Sequence, residues 1–162
     1  MDSLNSNIQE YQRQLEKGQI QKAYKGLMTF MTGLAADLQN RHADYAVSAL
    51  YPGYMDMTYF AFTPPALREQ KLKIALVYVH EKNAFEAWLA GSNRKVQADT
   101  IARLSGQSLG NYVLSMVSPG VDSIIEATLA AQPDFDSPET LKQTLEGRVL
   151  EFIRDMEKLL GD

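Results

Sequence analysis

Two short apolar runs, residues 71–80 and 83–90, meet across Glu81-Lys82, and they constrain the fold more than any other feature of the chain. Both are too short for typical helices, and the first is rich in branched and aromatic residues, so they read as two antiparallel strands. Side chains alternate between the two faces of a strand, so a loop at Glu81-Lys82 fixes every cross-strand partner. Tyr78 then opposes Phe85, Leu76 opposes Ala87, and Ile74 opposes Leu89. All six are apolar or aromatic, which makes theirs the face toward the core. The other face carries Lys73, Ala75, Val77, Val79, Glu86 and Trp88.

Residues 45–51 and 54–63 extend the pattern as two further strands, with Pro52-Gly53 between them. Proline cannot take the positive φ of a tight primed turn, so the connection is expected to be longer than two residues. Pro64-Pro65 ends the second of these strands, because proline cannot donate to a ladder. Within it, Met55, Met57, Tyr59 and Ala61 are read as the helix-facing set. Tyr54, Asp56, Thr58, Phe60 and Phe62 are read as pointing the other way.

Helical periods flank this meander. Leu4, Ile8, Tyr11 and Leu15 fall on one stripe, and Ser6-Asn7-Ile8-Gln9 has capping-box spacing. Gly18 stops that helix, and a second runs over residues 19–40 with Ile20, Tyr24, Leu27, Met31, Leu34 and Leu38 on its buried side. The very short joint predicts an antiparallel helical hairpin. After Gly91, Ser92 or Asn93 caps a helix to about residue 105, with Val96, Ile101 and Leu104 inward. Residues 112–117 read as a strand. Residues 123–130 read as a strand or a short helix, and their β-branched start favours the strand. Asp136-Ser137-Pro138-Glu139 opens a last helix whose stripe is Leu141, Leu145, Val149, Phe152, Met156 and Leu159. The expected fold is therefore a single α+β domain over residues 1–162. It has an N-terminal helical hairpin, an antiparallel β-meander, a helix, further strand or strands, and a long C-terminal helix packed on one sheet face.

Composition removes several functional classes. The sequence holds no cysteine, so disulfides, thiolate metal sites and a cysteine nucleophile are excluded. No apolar run approaches the ~18 residues of a membrane span. Met1-Asp2-Ser3-Leu4-Asn5 lacks the basic start and apolar stretch of a secretory signal, so a cytoplasmic location and no membrane partner are expected. The formal charge is −4, which disfavours a nucleic-acid partner. The charge is uneven: residues 1–105 carry 12 basic and 10 acidic side chains, and residues 106–162 carry 4 and 10. Asp122, Glu126, Asp134, Asp136 and Glu139 lie in a stretch without cations, but they lack calcium-loop spacing and read as a solvated surface. Glycine-rich phosphate loops, nucleophile elbows and His-Glu-x-x-His are all absent. His42 and His80 are too few for an all-histidine cage, so no metal and no cofactor are expected.

What remains is the second sheet face. With the hairpins paired in sequence order, Tyr54, Asp56, Thr58, Lys73, Glu86 and Trp88 share it. Ionisable groups in mid-strand beside aromatics are paired, wet or functional. One reading is an open face touching water, which antiparallel sheets allow. The other is a ligand groove, with Trp88 and tyrosines as walls and Asp56 and Glu86 as polar anchors, for a small ligand or a protein partner. An enzymatic alternative starts from the order of elements, which loosely resembles the restriction-endonuclease-like core. Asp56 and Glu86 would then hold a divalent metal with Lys73 nearby, although the usual Glu-x-Lys of such sites is missing after Glu86. His80 reads as a solvated turn residue. Arg94 and Lys95, in the first turn of a helix, oppose its dipole and call for an acidic partner, an anion or water. The stripe of the last helix serves either the core or a homodimer seam.

Several segments carry a resemblance: residues 19–25, 53–60 and 85–91, Asn93, Val96-Gln97, residues 122–126 and Pro133-Asp134-Phe135. Through them nearly the whole chain resembles a family of small bacterial proteins of unknown function. The resemblance implies a bacterial cytoplasmic protein and brings no activity or catalytic residue with it.

Overall fold

The hairpin at the centre has the expected register. In the computed structural model, which describes residues 2–161, β3 (Leu72–Val79) and β4 (Ala84–Gly91) pair as Ile74 with Leu89, Leu76 with Ala87 and Tyr78 with Phe85. Residues 80–83 form the turn, and Asn83 closes it at φ 49° while its Oδ1 accepts from the Tyr78 hydroxyl at 2.8 Å. Asparagine is among the few residues that take such a backbone cheaply. β1 (Ala46–Val47), β2 (Met57–Thr63) and β5 (Ser123–Ala131) complete a five-stranded sheet, antiparallel throughout, whose order follows the chain. The segment at 123–130 is thus a strand. Residues 112–117 contribute a single bridge, Leu114 with Ile125.

The faces of β2 are the reverse of the expected ones. Thr58 pairs with Tyr78 and Phe60 with Leu76, so Thr58, Phe60 and Phe62 point into the core and are fully buried. Met57, Tyr59 and Ala61 lie on the outer face and are only half-buried. Both parities of this strand hold apolar side chains, so alternation alone does not choose. The two sets carry comparable apolar area, but burying the other one would take the Tyr59 hydroxyl into the core, where it would need a partner, whereas the two phenylalanines bring no polar atom with them. The strand also starts at Met57, because Asp56 ends the preceding turn. Thr58 enters the core with its hydroxyl satisfied, 2.7 Å from the Pro52 carbonyl and 2.8 Å from His80 Nε2.

Helices α2 (Gln19–Arg41) and α5 (Pro138–Leu160) lie across the inner face. Met31, Leu34 and Leu38 of α2 and Leu145, Val149, Phe152 and Met156 of α5 are buried there. The α5 stripe is therefore spent on its own core, with Ile153 and Leu160 added and Leu159 left half-buried. Two ion-pair groups link α2 to α5: Lys142 with Asp37 at 3.3 Å, and Glu146 with both Arg41 at 2.6 Å and His42 at 2.9 Å. The turn α3 (Pro65–Glu69), unanticipated from the sequence, seats Leu67 in the core. α4 (Arg94–Leu104), capped by Asn93, buries Gln97, Thr100 and Leu104. Val96 and Ile101 are only partly covered.

α1 (Leu4–Lys17) meets α2 at Gly18, whose φ of 81° makes the joint. Its cap is Ser3 exchanging bonds with Ser6, not the Ser6–Gln9 box expected from spacing. α1 buries no residue: Leu4, Ile8 and Tyr11 are 73%, 50% and 58% exposed. The stripe that would close a helical hairpin is uncovered. No helix of the described residues is long and apolar enough to cross a membrane.

The reversed strand faces give a direct test. Phe60→Ala should lower unfolding free energy by about 3–5 kcal/mol in urea denaturation, as large-to-small core changes do. Tyr59→Ala, its outward neighbour, should cost about 1 kcal/mol. Comparable losses for the two would contradict the register.

Candidate functional site

On the outer face β3 and β4 supply small side chains at the middle. Val77 is fully buried, and Ala75 and Ala90 are 5% exposed. Trp88 pairs with Ala75 on one side and Glu126 on the other, and Glu86 with Val77 and Thr128. Alanine opposite tryptophan leaves room beside the indole. The indole is held: its Nε1–H donates to Glu86 Oε1 at 2.7 Å. Glu86 is 4% exposed, and its second oxygen meets Lys82 Nζ at 3.3 Å. A buried carboxylate needs such partners, and both of its oxygens have one. Lys73 lies on the same face, exposed, and is in no ion pair among the described residues.

The far end of this face is closed by the start of α4. A Cβ on Gly91 would come within 2.7 Å of the Gln97 nitrogen, so only glycine lets α4 approach the strand this closely. Gln97 donates to the carbonyls of Val121 and Ser123. Arg94 donates to the carbonyls of Val121 at 2.6 Å and Ser118 at 3.1 Å, and lies 3.4 Å from Asp122. These contacts compensate a cation at a helix N-terminus, and Asp99 at 2.8 Å does the same for Lys95. Together the floor, Tyr59, Trp88, Lys73 and this corner enclose a cleft of about 270 Å³.

Of the six residues expected to share a site, Lys73 and Trp88 line the cleft, Glu86 holds the indole without lining it, and Tyr54, Asp56 and Thr58 lie elsewhere. Tyr54 is 88% exposed in the loop before β2. Asp56 is committed to that loop: Oδ1 accepts from the backbone N–H groups of Tyr54 at 2.9 Å and Met57 at 2.7 Å. Those bonds hold its carboxyl below the usual range. The loop is tight, since a Cβ on Gly53 would lie 2.0 Å from the Met57 carbonyl oxygen and φ there is 70°. Thr58 is on the helix side. The Asp56 oxygen is thus taken by its own loop and both Glu86 oxygens by Trp88 and Lys82, and no group of three or more acidic or histidine side chains suited to a metal occurs among the described residues. His80 is also not a free turn residue. It is half-buried against Tyr78 and Tyr24, with ring centroids 4.9 and 6.3 Å away, and bonded to Thr58. Burial lowers its pKa, and the nearby Asp56 partly opposes that.

Sequence reasoning missed a larger feature on the helix side. A groove of about 860 Å³ runs between the first half of α2 and the start of α5, with Tyr24, Leu27, Phe30, Tyr78 and Phe135 among its walls. Phe135 precedes α5 and packs on Phe30 and Phe85 at centroid distances of 5.5 and 5.8 Å. Its only trace in the sequence is a surplus of apolar residues, such as Ile20 and Met55, that end up exposed.

Residues 4–160 match the family model described as Domain of unknown function (DUF7000), so the chain belongs to that family. No curated protein and no solved structure matches it.

Trp88 is the single tryptophan, so its emission reports on Glu86 directly. Glu86→Ala should shift that emission and cost about 1–3 kcal/mol of stability, the range for a lost charged hydrogen bond. Emission unchanged in Glu86→Ala would deny that the carboxylate holds the ring. For His80, the unfolded chain titrates at its ordinary pKa of about 6.5, above the folded value. Below that pH the unfolded state binds more protons, so stability falls until pH drops beneath the folded pKa and then levels off. Thermal melts across this window should show a steeper loss for the native chain than for His80→Asn.

Proposed function

We propose that this member of DUF7000 is a binding domain whose outer sheet face takes a small molecule carrying one planar ring and one anionic group. The single observation behind the reading is the cleft of about 270 Å³ in which a held indole, an apolar floor and an exposed lysine face the same space. A volume just under the usual ~300–1,000 Å³ of ligand pockets suits a single ring. The Glu86 bond occupies the edge of the Trp88 indole and leaves its π face for stacking. Lys73 is exposed at the rim, where an ammonium attracts a carboxylate or phosphate without first breaking an internal pair. Val77, Ala75 and Ala90 form a flat bed of small side chains. Binding also fits the chain's lack of any catalytic motif. The same proposal makes the domain bacterial and cytoplasmic, on the resemblance of its sequence and on the absence of cysteine.

Benzoate, phenyl phosphate and uncharged benzyl alcohol distinguish the parts of this reading when titrated against Trp88 fluorescence. The two anions should quench saturably and the alcohol should not. Lys73→Ala should weaken anion binding about tenfold, equivalent to 1.4 kcal/mol. Tyr54→Ala and Asp56→Asn should leave it unchanged, because both residues lie outside the cleft. No saturable signal with either anion, or quenching indifferent to Lys73→Ala, would overturn the proposal.

A further inference from the structure

A different surface carries a second inference. The apolar stripe of α1 continues without interruption onto the body of the protein. Ile8, Tyr11 and Leu15 line one depression on α1. Tyr11 and Leu15 then line a second with Ile20, Tyr24, Tyr54 and Met55. Ile20, Tyr24 and Met55 in turn line the large groove between α2 and α5. One trough thus runs from the N-terminal helix to the start of α5, and its large apolar side chains lie in water: Ile8, Tyr11, Ile20, Tyr54 and Met55 are 39–88% exposed. Contiguous exposure of this kind marks an interaction surface.

We propose that the occupant is a second copy of this chain, with the two copies exchanging α1 so that each helix lies in the other's trough. Three observations select this occupant. First, arm and trough belong to one surface, so a two-fold axis buries both at once, and an isologous dimer needs only that self-complementarity. Second, the area suffices. Stable interfaces bury about 1,600 Å² in total, and the reciprocal arrangement halves what each arm must supply. An arm of 14 residues is about 21 Å long and 10 Å across; with half its wall and an equal patch of trough covered it buries roughly 660 Å², so two arms together reach the lower part of the range for stable interfaces, about 1,200–2,000 Å². Third, the charges fit. α1 carries Glu10 and Glu16 against Arg13 and Lys17, with Glu10 paired to Arg13 at 3.0 Å, so two arms do not repel. At its α5 end the trough holds Asp136 and Glu139 beside Lys142, but its α2 flank carries Lys22 and Lys25, able to meet Glu16 of the partner arm. A helix built for a lipid surface carries an excess of lysine and arginine on its polar side, which α1 lacks.

Light scattering and sedimentation of the full chain across micromolar concentrations test the proposal. The native chain should have twice the monomer mass. Tyr11→Asp and, independently, Met55→Asp should weaken the dimer about thirtyfold or more, as loss of a central aromatic or apolar contact does. Both residues are more than half exposed, so the far-ultraviolet circular dichroism should not change. Because the sequence has no cysteine, a chain with Ile8→Cys mixed with a chain with Met55→Cys should form a disulfide between the two under mild oxidation. A native chain that stays monomeric overturns the proposal. So does a dimer indifferent to both aspartates, which would place the contact elsewhere. A monomer that sediments with phosphatidylglycerol vesicles, and loses this in Tyr11→Asp, would assign the stripe to a membrane surface instead and equally overturn it.

Discussion

The pairing of β3 with β4 is the constraint on which the rest depends. Its eight pairs place Ile74, Leu76 and Tyr78 against Leu89, Ala87 and Phe85 on one face. That face is the only large apolar surface the meander can offer to α2 and α5, so the helices follow from it. On the opposite face the same pairing sets Trp88 across from Ala75 and Glu86 across from Val77, and β2 adds Tyr59 on the other side of Val77. A sheet covered by helices on one side only would ordinarily wet the other side. Here Val77, which lies between Tyr59 and Glu86 in the register, is fully buried all the same.

The inner layer is fastened differently at its two ends. At one, Phe30, Phe85, Phe135 and Tyr78 form an aromatic cluster with centroid distances of 5.1–5.9 Å. At the other, His42 and Tyr45 pack on Phe62, and Glu146 of α5 ties down Arg41 and His42. α1 lies beyond both fastenings and draws no stability from the core. The two functional surfaces proposed above are therefore independent. One is built on the central β3–β4 pair, where an indole held by Glu86 is useful to a small ligand. The other uses an element with no role in the monomer's interior, which is what an exchanged arm requires.

Much of this was legible in the residues. The β3–β4 register followed from one short turn, because period-two alternation leaves no freedom once the loop is placed. The last helix was legible from Pro138 and its stripe, and the second from its stripe ending near Arg41. That Lys73, Glu86 and Trp88 share the outer face was legible for the same reason: they belong to the hairpin whose register was determined. Tyr54, Asp56 and Thr58 were misplaced because β2 holds apolar residues at both parities. Its orientation is decided by which set fills the space over Leu76 and Tyr78, a long-range packing outcome. Thr58 misled most, since a threonine reads as outward unless its partners, the Pro52 carbonyl and His80, are known in advance.

The sequence by itself determined the class of fold, the central register and the absence of cysteine chemistry, because these rest on local periodicity and on which atoms the side chains contain. Only the tertiary structure decided which way β2 faces, that Glu86 grips Trp88, that Asp56 serves its own loop, and that the α1 stripe is left without cover. Each of those depends on what distant segments bring to the same place, and spacing along a chain carries no record of that.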